Sequence, residues 1–487
     1  MANVTFPFPF PEHLITLLPE MIVAIMAMFL LLFDVFVSKE RKTMTPYLAI
    51  LTVIVAGIGT TCLRPEQTLV AFYGFFVFDQ FAVFAKLLIY AATALAMVIS
   101  IDHMKDEENV GEYYVLMLFA MLGMMLMVSS NNFITMYLGL ELMALSVYVL
   151  VGYQRDVLRS NEAALKYFIL GALSSCMLLY GVTFLYGVSG SFEFTAMGQG
   201  LNAAGSSADF AVLLGLVFLI AGLGFKVSMA PFHMWTPDAY EGAPTPITAF
   251  MSVAPKVAGL VVFMRIVVDA LPALQHEYTT ILTIMAVLSM TVGNLAAIAQ
   301  RNIKRMLAYS TIGHVGFITL GLIAATPEGY AGILVYMSIY LFMTMGVFAI
   351  IILMRREGIQ GELLDDFAGL SRVRPGYALA MGLFLFSLGG IPFLAGFWGK
   401  YVVFIAAVEA GHLYLVLYAL LFSAVGAFYY IRVVKYIYFD EERVAFNFVE
   451  NRLMQVTVAV TAIAVVVLGV YPEPLLNLCR QALGGLV

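Results

Sequence analysis

The chain has 487 residues, 62% of them hydrophobic and only 11% charged, with a mean hydropathy of +0.95 and a formal charge of −6. A soluble domain carries about 25% charged residues, so this chain has too little polar surface to cover itself in water and reads as an integral membrane protein. It has no basic tail or aromatic-interleaved basic patch, which excludes nucleic acid as a partner. The three isolated cysteines (Cys62, Cys176, Cys479) offer neither a disulfide framework nor a metal cluster.

The opening residues, MANVTFPFPFPEH, lack a basic n-region and an A-x-A-like site, so no cleaved signal peptide is expected. Apolar runs follow at 14–37, 46–63, 79–101, 113–129, 133–152, 162–188, 209–231, 246–270, 279–299, 306–325, 331–354, 377–408, 413–438 and 453–471. At about 20 residues per span they predict an all-α protein of about fourteen transmembrane helices joined by short loops. The longest stretch without an obvious span is Ser189–Asp209.

Lysine and arginine set the orientation. Alternate loops carry Lys39, Arg41, Lys42, Lys105, Arg155, Arg159, Arg301, Lys304, Arg305, Arg355, Arg356, Arg372, Arg374, Arg432, Lys435, Arg443 and Arg452. The opposite loops and tail carry Arg64 and Arg480. The basic side is cytoplasmic, which places both termini on the outer side of the membrane.

Six basic residues remain inside spans: Lys86, Lys166, Lys226, Lys256, Arg265 and Lys400. A charge deep in a bilayer costs roughly 2.5–3.5 kcal/mol on insertion scales, which makes each a functional candidate. Lys86 and Arg265 lie near helix ends and are placed to snorkel; for Lys166, near the cytoplasmic end of its span, snorkelling competes with function. Lys256 lies near the midplane, and Glu141 is the acid well inside a span. For Glu141 and Lys256 the competing reading is a buried ion pair that only fixes packing.

Two spans are interrupted. Residues 219–256, LIAGLGFKVSMAPFHMWTPDAYEGAPTPITAFMSVAPK, break at Pro231 after Lys226 and re-enter an apolar run that carries Lys256. The run 377–408 would extend roughly 48 Å as one helix, beyond a ~30 Å hydrocarbon core. Gly389, Gly390, Pro392, Gly396 and Gly399 offer a break beside Lys400. Gly/Pro-interrupted spans in corresponding places indicate inverted repeats. The chain then divides into three N-terminal helices (1–111), a first five-helix repeat (112–270), a second (271–440), and a C-terminal helix and tail (441–487). The broken seventh and twelfth helices stand fourth in their units.

Softer positions remain. His314 either relays protons or hydrogen-bonds a neighbouring helix. His233, Trp235, Asp238 and Glu241 read as a cytoplasmic loop that packs on a partner. The many Met, Phe and Tyr residues read as lipid-facing and core material. No H-E-x-x-H, C-x-x-C or P-loop motif occurs.

The segments GLGFKVSMAPFHMWTPDAYEGAPTPITAFMSVAPKVA, QRNIKRMLAYSTIGHVGF and SLGGIPFLAGFWGKY, with the span around Glu141, resemble the antiporter-like membrane subunits of respiratory complex I. The form WTPDAYEGAPTP is similar to the N branch of that family more than to its M or L branches. The resemblance covers nearly the whole chain and implies fourteen helices in two inverted repeats. It assigns proton-pathway roles to Glu141, Lys166, Lys226, Lys256, His314 and Lys400. It also implies that this chain holds no cofactor, with NADH, FMN, iron–sulfur clusters and quinone in other subunits. The expected partners are an antiporter-like M subunit, small membrane subunits, a peripheral redox arm and the lipid bilayer. The expected function is a proton-translocating subunit of a redox-driven translocase, NADH:quinone oxidoreductase. Two rivals stand beside it: a subunit of a multisubunit sodium–proton antiporter, and a structural membrane scaffold.

Overall fold

The computed structural model describes residues 14–37, 39–105, 109–205, 210–354, 361–441 and 452–486. The opening residues 1–13, read for a signal peptide, and the loop arginines Arg355, Arg356 and Arg443 lie outside the described residues. The chain is helical almost throughout. In order it forms α1 (Leu18–Phe36), α2 (Thr45–Cys62), a hairpin of β1 (Leu69–Ala71) and β2 (Phe76–Phe78), α3 (Gln80–Ser100), α4 (Val110–Val128), α5 (Phe133–Val151) and α6 (Leu158–Ser189). Then come α7 (Phe194–Ala203), α8 (Phe210–Lys226), α9 (Trp235–Gly242), α10 (Thr245–Arg265), α11 (Gln275–Ala299), α12 (Ile303–Ala324) and α13 (Pro327–Leu353). The last elements are α14 (Pro375–Gly389), α15 (Ala395–Glu409), α16 (Leu413–Phe439), α17 (Arg452–Val470) and α18 (Glu473–Ala482). The strands pair antiparallel, with Val70 opposite Val77.

Twelve of the described helices are long and apolar enough to cross a bilayer, and α8 and α14 are shorter apolar helices. The stretch 189–209, expected to be a loop, contains α7. Helix starts follow their caps: Asp79, Asn132, Asn302 and Thr326 each accept a bond from a first-turn backbone N–H. α10, α12 and α13 are buried along nearly their whole lengths, and the other helices surround them.

Lipid offers no hydrophobic drive for helix pairing, so close backbone approach has to supply it. α4 meets α5 where a Cβ on Gly123 would lie 2.5 Å from the Gly139 carbonyl oxygen. α11 meets α12 in the same manner, with a Cβ on Gly293 2.4 Å from the Gly313 nitrogen.

Both interruptions are real breaks. α8 stops at Lys226 and α9 begins at Trp235; α14 stops at Gly389 and α15 begins at Ala395. Each break holds a non-glycine residue in the left-handed region, Ser228 (φ 67°) and Phe393 (φ 70°). Such conformations cost on the order of 1–3 kcal/mol and persist where the surroundings impose them.

Two expectations need correcting. Lys86 and Arg265 do not snorkel. Lys86 Nζ lies 2.5 Å from Glu20 Oε1 of α1, fully buried, with the Phe76 and Phe78 rings about it. Arg265 Nη2 donates to both oxygens of Asp79, at 3.1 and 2.9 Å, and both side chains are buried. Each charge is near enough to a carboxylate on another helix to be neutralised inside the protein, so it has no need to reach for the interface. The Asp79 pair ties the start of α3 to the end of α10. Asp79→Asn keeps the cap but strands a buried guanidinium, and breaking such a pair from one side typically costs 3–5 kcal/mol. The thermal midpoint for loss of this subunit from its purified membrane assembly should fall clearly, and Asp79→Asn with Arg265→Met should recover much of it. A single variant as stable as the parent would make the pair energetically neutral.

Candidate functional site

Five of the six proposed site residues lie in the interior of the helix stack; the sixth, Lys166, does not. Glu141 projects from the middle of α5 and is half-buried. Lys226 is the last residue of α8, at the end of the helix where the macrodipole favours a cation. The two do not touch. Ser175 of α6 lies between them, its hydroxyl donating to Glu141 Oε1 and accepting from Lys226 Nζ at 3.1 Å. Glu141 and Lys226 are thus joined by a three-residue bridge across α5, α6 and α8. α6 and α8 approach closely enough for this because Gly181 and Gly222 lack side chains: a Cβ on either would lie 2.5 Å from the facing helix.

Lys256 is buried in α10. Its neighbour Pro255 has no N–H to give the carbonyl one turn back, that of Met251. Lys256 Nζ donates to that freed oxygen at 3.3 Å and to the Tyr240 hydroxyl, and Tyr240 also donates to Met251 O at 3.4 Å. The helix-breaking proline thus provides the acceptor that keeps an ammonium solvated.

Between Lys226 and Lys256 stands an aromatic group: Phe225, Trp235 and Tyr240, with centroids 5.6 and 6.4 Å apart in that order. Lys226 Nζ sits 5.8 Å over Phe225 and Lys256 Nζ 4.9 Å over Tyr240. Trp235 donates to Phe225 O at 3.0 Å and stacks on Tyr167 at 4.2 Å. This corrects the reading of these residues as a loop: from Trp235 on they form α9, and Trp235 packs on its own chain, its ring and N–H both satisfied there.

Further along, Thr311 and Tyr340 share a bond of 2.8 Å, and Tyr340 lies 5.3 Å from the His314 ring. His314, in the middle of α12, is bonded through both nitrogens, Nδ1 to Tyr336 OH at 2.6 Å and Nε2 to Tyr430 OH at 2.9 Å. Tyr430 also pairs with Ser310, and Tyr429 donates to Asn294 at 3.2 Å. Phe317 then separates His314 from Lys400, its ring 6.3 Å from the histidine and 5.1 Å from Lys400 Nζ.

Lys400 donates to Gly389 O at 2.8 Å and Ser423 Oγ at 2.9 Å. Gly389 ends α14, so the ammonium caps a half-helix C-terminus opened by the break. Gly390 is required twice over: its φ is +86°, and a Cβ there would lie 3.0 Å from the Lys400 side chain.

Lys166 is set apart. It is half-exposed and bonded to Glu162 at 2.7 Å and Asp238 at 3.0 Å. It belongs to a rim network on the basic side. Arg305 bridges Asp238 (2.7 Å) and Glu241 (2.8 Å), Arg159 reaches Glu241 (2.7 Å) and Glu362 (3.3 Å), and buried Lys304 holds Glu362 at 2.7 Å. A polar recess lined by His103, Arg159, Glu241, Lys304 and Glu362 opens beside it. Lys304, counted as a loop charge from the sequence, is the second residue of α12 and also donates to Ala243 O at 2.8 Å.

Sequence reasoning missed Ser175, Tyr240, Tyr336, Tyr340, Tyr430 and Ser423. The i, i+4 spacing of Tyr336 and Tyr340 within an apolar span was the available signal, hidden by the abundance of tyrosine.

The membrane-subunit family model described as NADH:quinone oxidoreductase/Mrp antiporter matches residues 130–426. The chain is 44% identical over 477 residues to NADH-quinone oxidoreductase subunit N of Thioalkalivibrio sulfidiphilus, covering 98% of this chain and 99% of the relative. It is 45% identical over 480 residues to that of Parvibaculum lavamentivorans, covering 98% of each. Among solved structures, respiratory complex I from Thermus thermophilus with bound aureothin contains a chain that is 31% identical, with a TM-score of 0.82, covering 95% of this chain and 99% of that one. A chain of the Mrp complex from Dietzia sp. is 19% identical with a TM-score of 0.85, covers 97% of each, and shares the fold. By the extent of the family match and by relatives similar over nearly their whole length, the chain belongs to the NADH:quinone oxidoreductase/Mrp antiporter family of membrane subunits, on its subunit N branch.

Proposed function

We propose that this chain is a proton-translocating membrane subunit of an NADH:quinone oxidoreductase, coupling electron transfer in other subunits to proton movement across the bacterial inner membrane. The observation that carries this reading is the line of polar groups through the helix stack, Glu141–Ser175–Lys226, Lys256–Tyr240, Tyr336–His314–Tyr430 and Lys400–Ser423. NADH, flavin, iron–sulfur clusters and quinone are assigned to the rest of the complex. The partners are its other membrane subunits and peripheral arm. The chain is read as fourteen crossings with both termini outside and inverted repeats at 112–270 and 271–440. The matching glycine crossings of α4 on α5 and α11 on α12 support the repeats, as do the two breaks in fourth place.

The line is not one continuous wire. Direct hydrogen bonds stop at the Phe225–Trp235 group, between Tyr240 and the His314 cluster, and at Phe317, and an unbroken chain would let protons leak down their gradient. Charge is felt across such a gap where a proton does not pass unaided, because low dielectric strengthens Coulomb interaction. A displacement of Glu141 alters the field at Lys226; the gain or loss of a proton there is felt at Lys256, then at His314 and Lys400. Every centre after Glu141 exchanges protons. Sodium favours oxygen cages in the manner of other hard cations, and a line of ammonium groups repels it, which disfavours the sodium reading. Lys166, in the rim network, is assigned to proton entry from the basic side rather than to the polar line.

Ser175→Ala removes the bridge with little change in volume. Quinone-linked oxidation and proton uptake by vesicles holding the assembled complex should both fall several-fold, and Ser175→Thr, which keeps a hydroxyl, should recover most of the loss. Parent-like pumping by Ser175→Ala would remove the bridge from the mechanism.

Lys400→Met should impair pumping while the complex still assembles on native gels, since charge is lost with little volume. Lys400→Arg should be milder but not silent, because arginine keeps its proton at accessible pH. If both pump like the parent, Lys400 only caps α14.

A further inference from the structure

A groove of about 590 Å³ lies on the outer surface between α14 and α17, away from the polar line. Its walls are Leu379, Ala380 and Leu383 of α14 and Val458, Ala462 and Ile463 of α17, and its mouth carries Arg374 and Gln455. The mouth is open beside Gly376, where a Cβ would meet nothing within 4 Å. Leu379 and Ile463 are about 60% exposed, so the apolar walls are accessible from the side.

The geometry points to a binding site for one anionic phospholipid of the cytoplasmic leaflet, its phosphate at the arginine mouth and an acyl chain in the groove. Three features carry this. First, the charge is concentrated at one end. Arg374 lines the mouth, exposed Arg372 lies two residues before it, and exposed Arg452 lies one turn before Gln455 on the same face of α17. α14 and α17 both begin there, at Pro375 and Arg452, so two helix N-termini add positive potential at the same level. Second, depth matches a leaflet. From Pro375 to Leu383 is eight residues, about 12 Å of helix, within the ~15 Å that one leaflet contributes to a ~30 Å core. A partner helix crossing the membrane would need a groove of full membrane depth. Third, the polarity order is that of a lipid, with guanidinium and amide at the mouth and hydrocarbon below. Juxtamembrane arginines attract anionic headgroups near the surface.

The test uses the whole complex, reconstituted in nanodiscs of equal parts phosphatidylglycerol and phosphatidylcholine. A benzophenone amino acid replaces Ala462 in the groove or, as a control, Leu421, an exposed lipid-facing position on α16. Lipid adducts are identified by mass after illumination. The expected result is a several-fold excess of phosphatidylglycerol over phosphatidylcholine at 462 and near parity at 421. Arg372→Gln with Arg374→Gln should return position 462 to parity. Val458→Phe, which fills the groove without touching charge, should lower total adduct at 462 several-fold. Parity at 462 in the parent overturns the proposal, as does a crosslink to another subunit there in place of lipid, or an excess that the arginine substitutions leave unchanged.

Discussion

An ammonium group inside hydrocarbon must be given oxygens, and the protein supplies them by opening its own helices. An intact α-helix has no spare acceptor in its interior, because each carbonyl already serves the N–H four residues on. Lys226 sits where α8 stops, Lys256 takes a carbonyl that Pro255 cannot serve, and Lys400 takes the last carbonyl of α14. The prolines and glycines of the two broken spans and the central lysines are therefore one feature. Without Pro255 and the break at Gly389, Lys256 and Lys400 would each lose a carbonyl acceptor; without Lys400, the Gly389 carbonyl would lose the ammonium that pairs it.

The kind of partner matters as much as its presence. Lys86 and Arg265 lie directly against carboxylates. Lys256 and Lys400 lie against neutral carbonyls and hydroxyls, and Lys226 reaches its carboxylate only through Ser175. The structure thus separates two classes of buried cation, one set directly against a carboxylate and one bonded to neutral oxygens. His314 is likewise bonded on both sides by neutral groups, the tyrosine hydroxyls.

Much of this was legible in the sequence. Hydropathy predicts the helical membrane fold, and glycine and proline predict the break at 390–394, because those residues act on local backbone. Lysines inside apolar runs mark the candidate site for the same reason: their cost is set by depth, which spacing reveals. What stayed hidden depends on which helices become neighbours. Ser175 is one of many serines until α6 packs between α5 and α8, and Tyr336 and Tyr430 lie on different helices from His314. The same ignorance misplaced Lys86 and Arg265, whose carboxylates, Glu20 and Asp79, are 66 and 186 residues away. It also hid the ion network that holds Lys166 at the rim.

The claim that Glu141 and Lys226 act as one switch is tested most directly by a double-mutant cycle. Proton uptake per quinone reduced is measured in vesicles holding the parent, Glu141→Gln, Lys226→Met and the double variant, with assembly verified for each. The account predicts a strong loss in either single variant and no further loss in the double, since the coupling is already gone. Losses that multiply would make the two residues independent, and a double variant that pumps normally where the singles fail to assemble would reduce the bridge to packing.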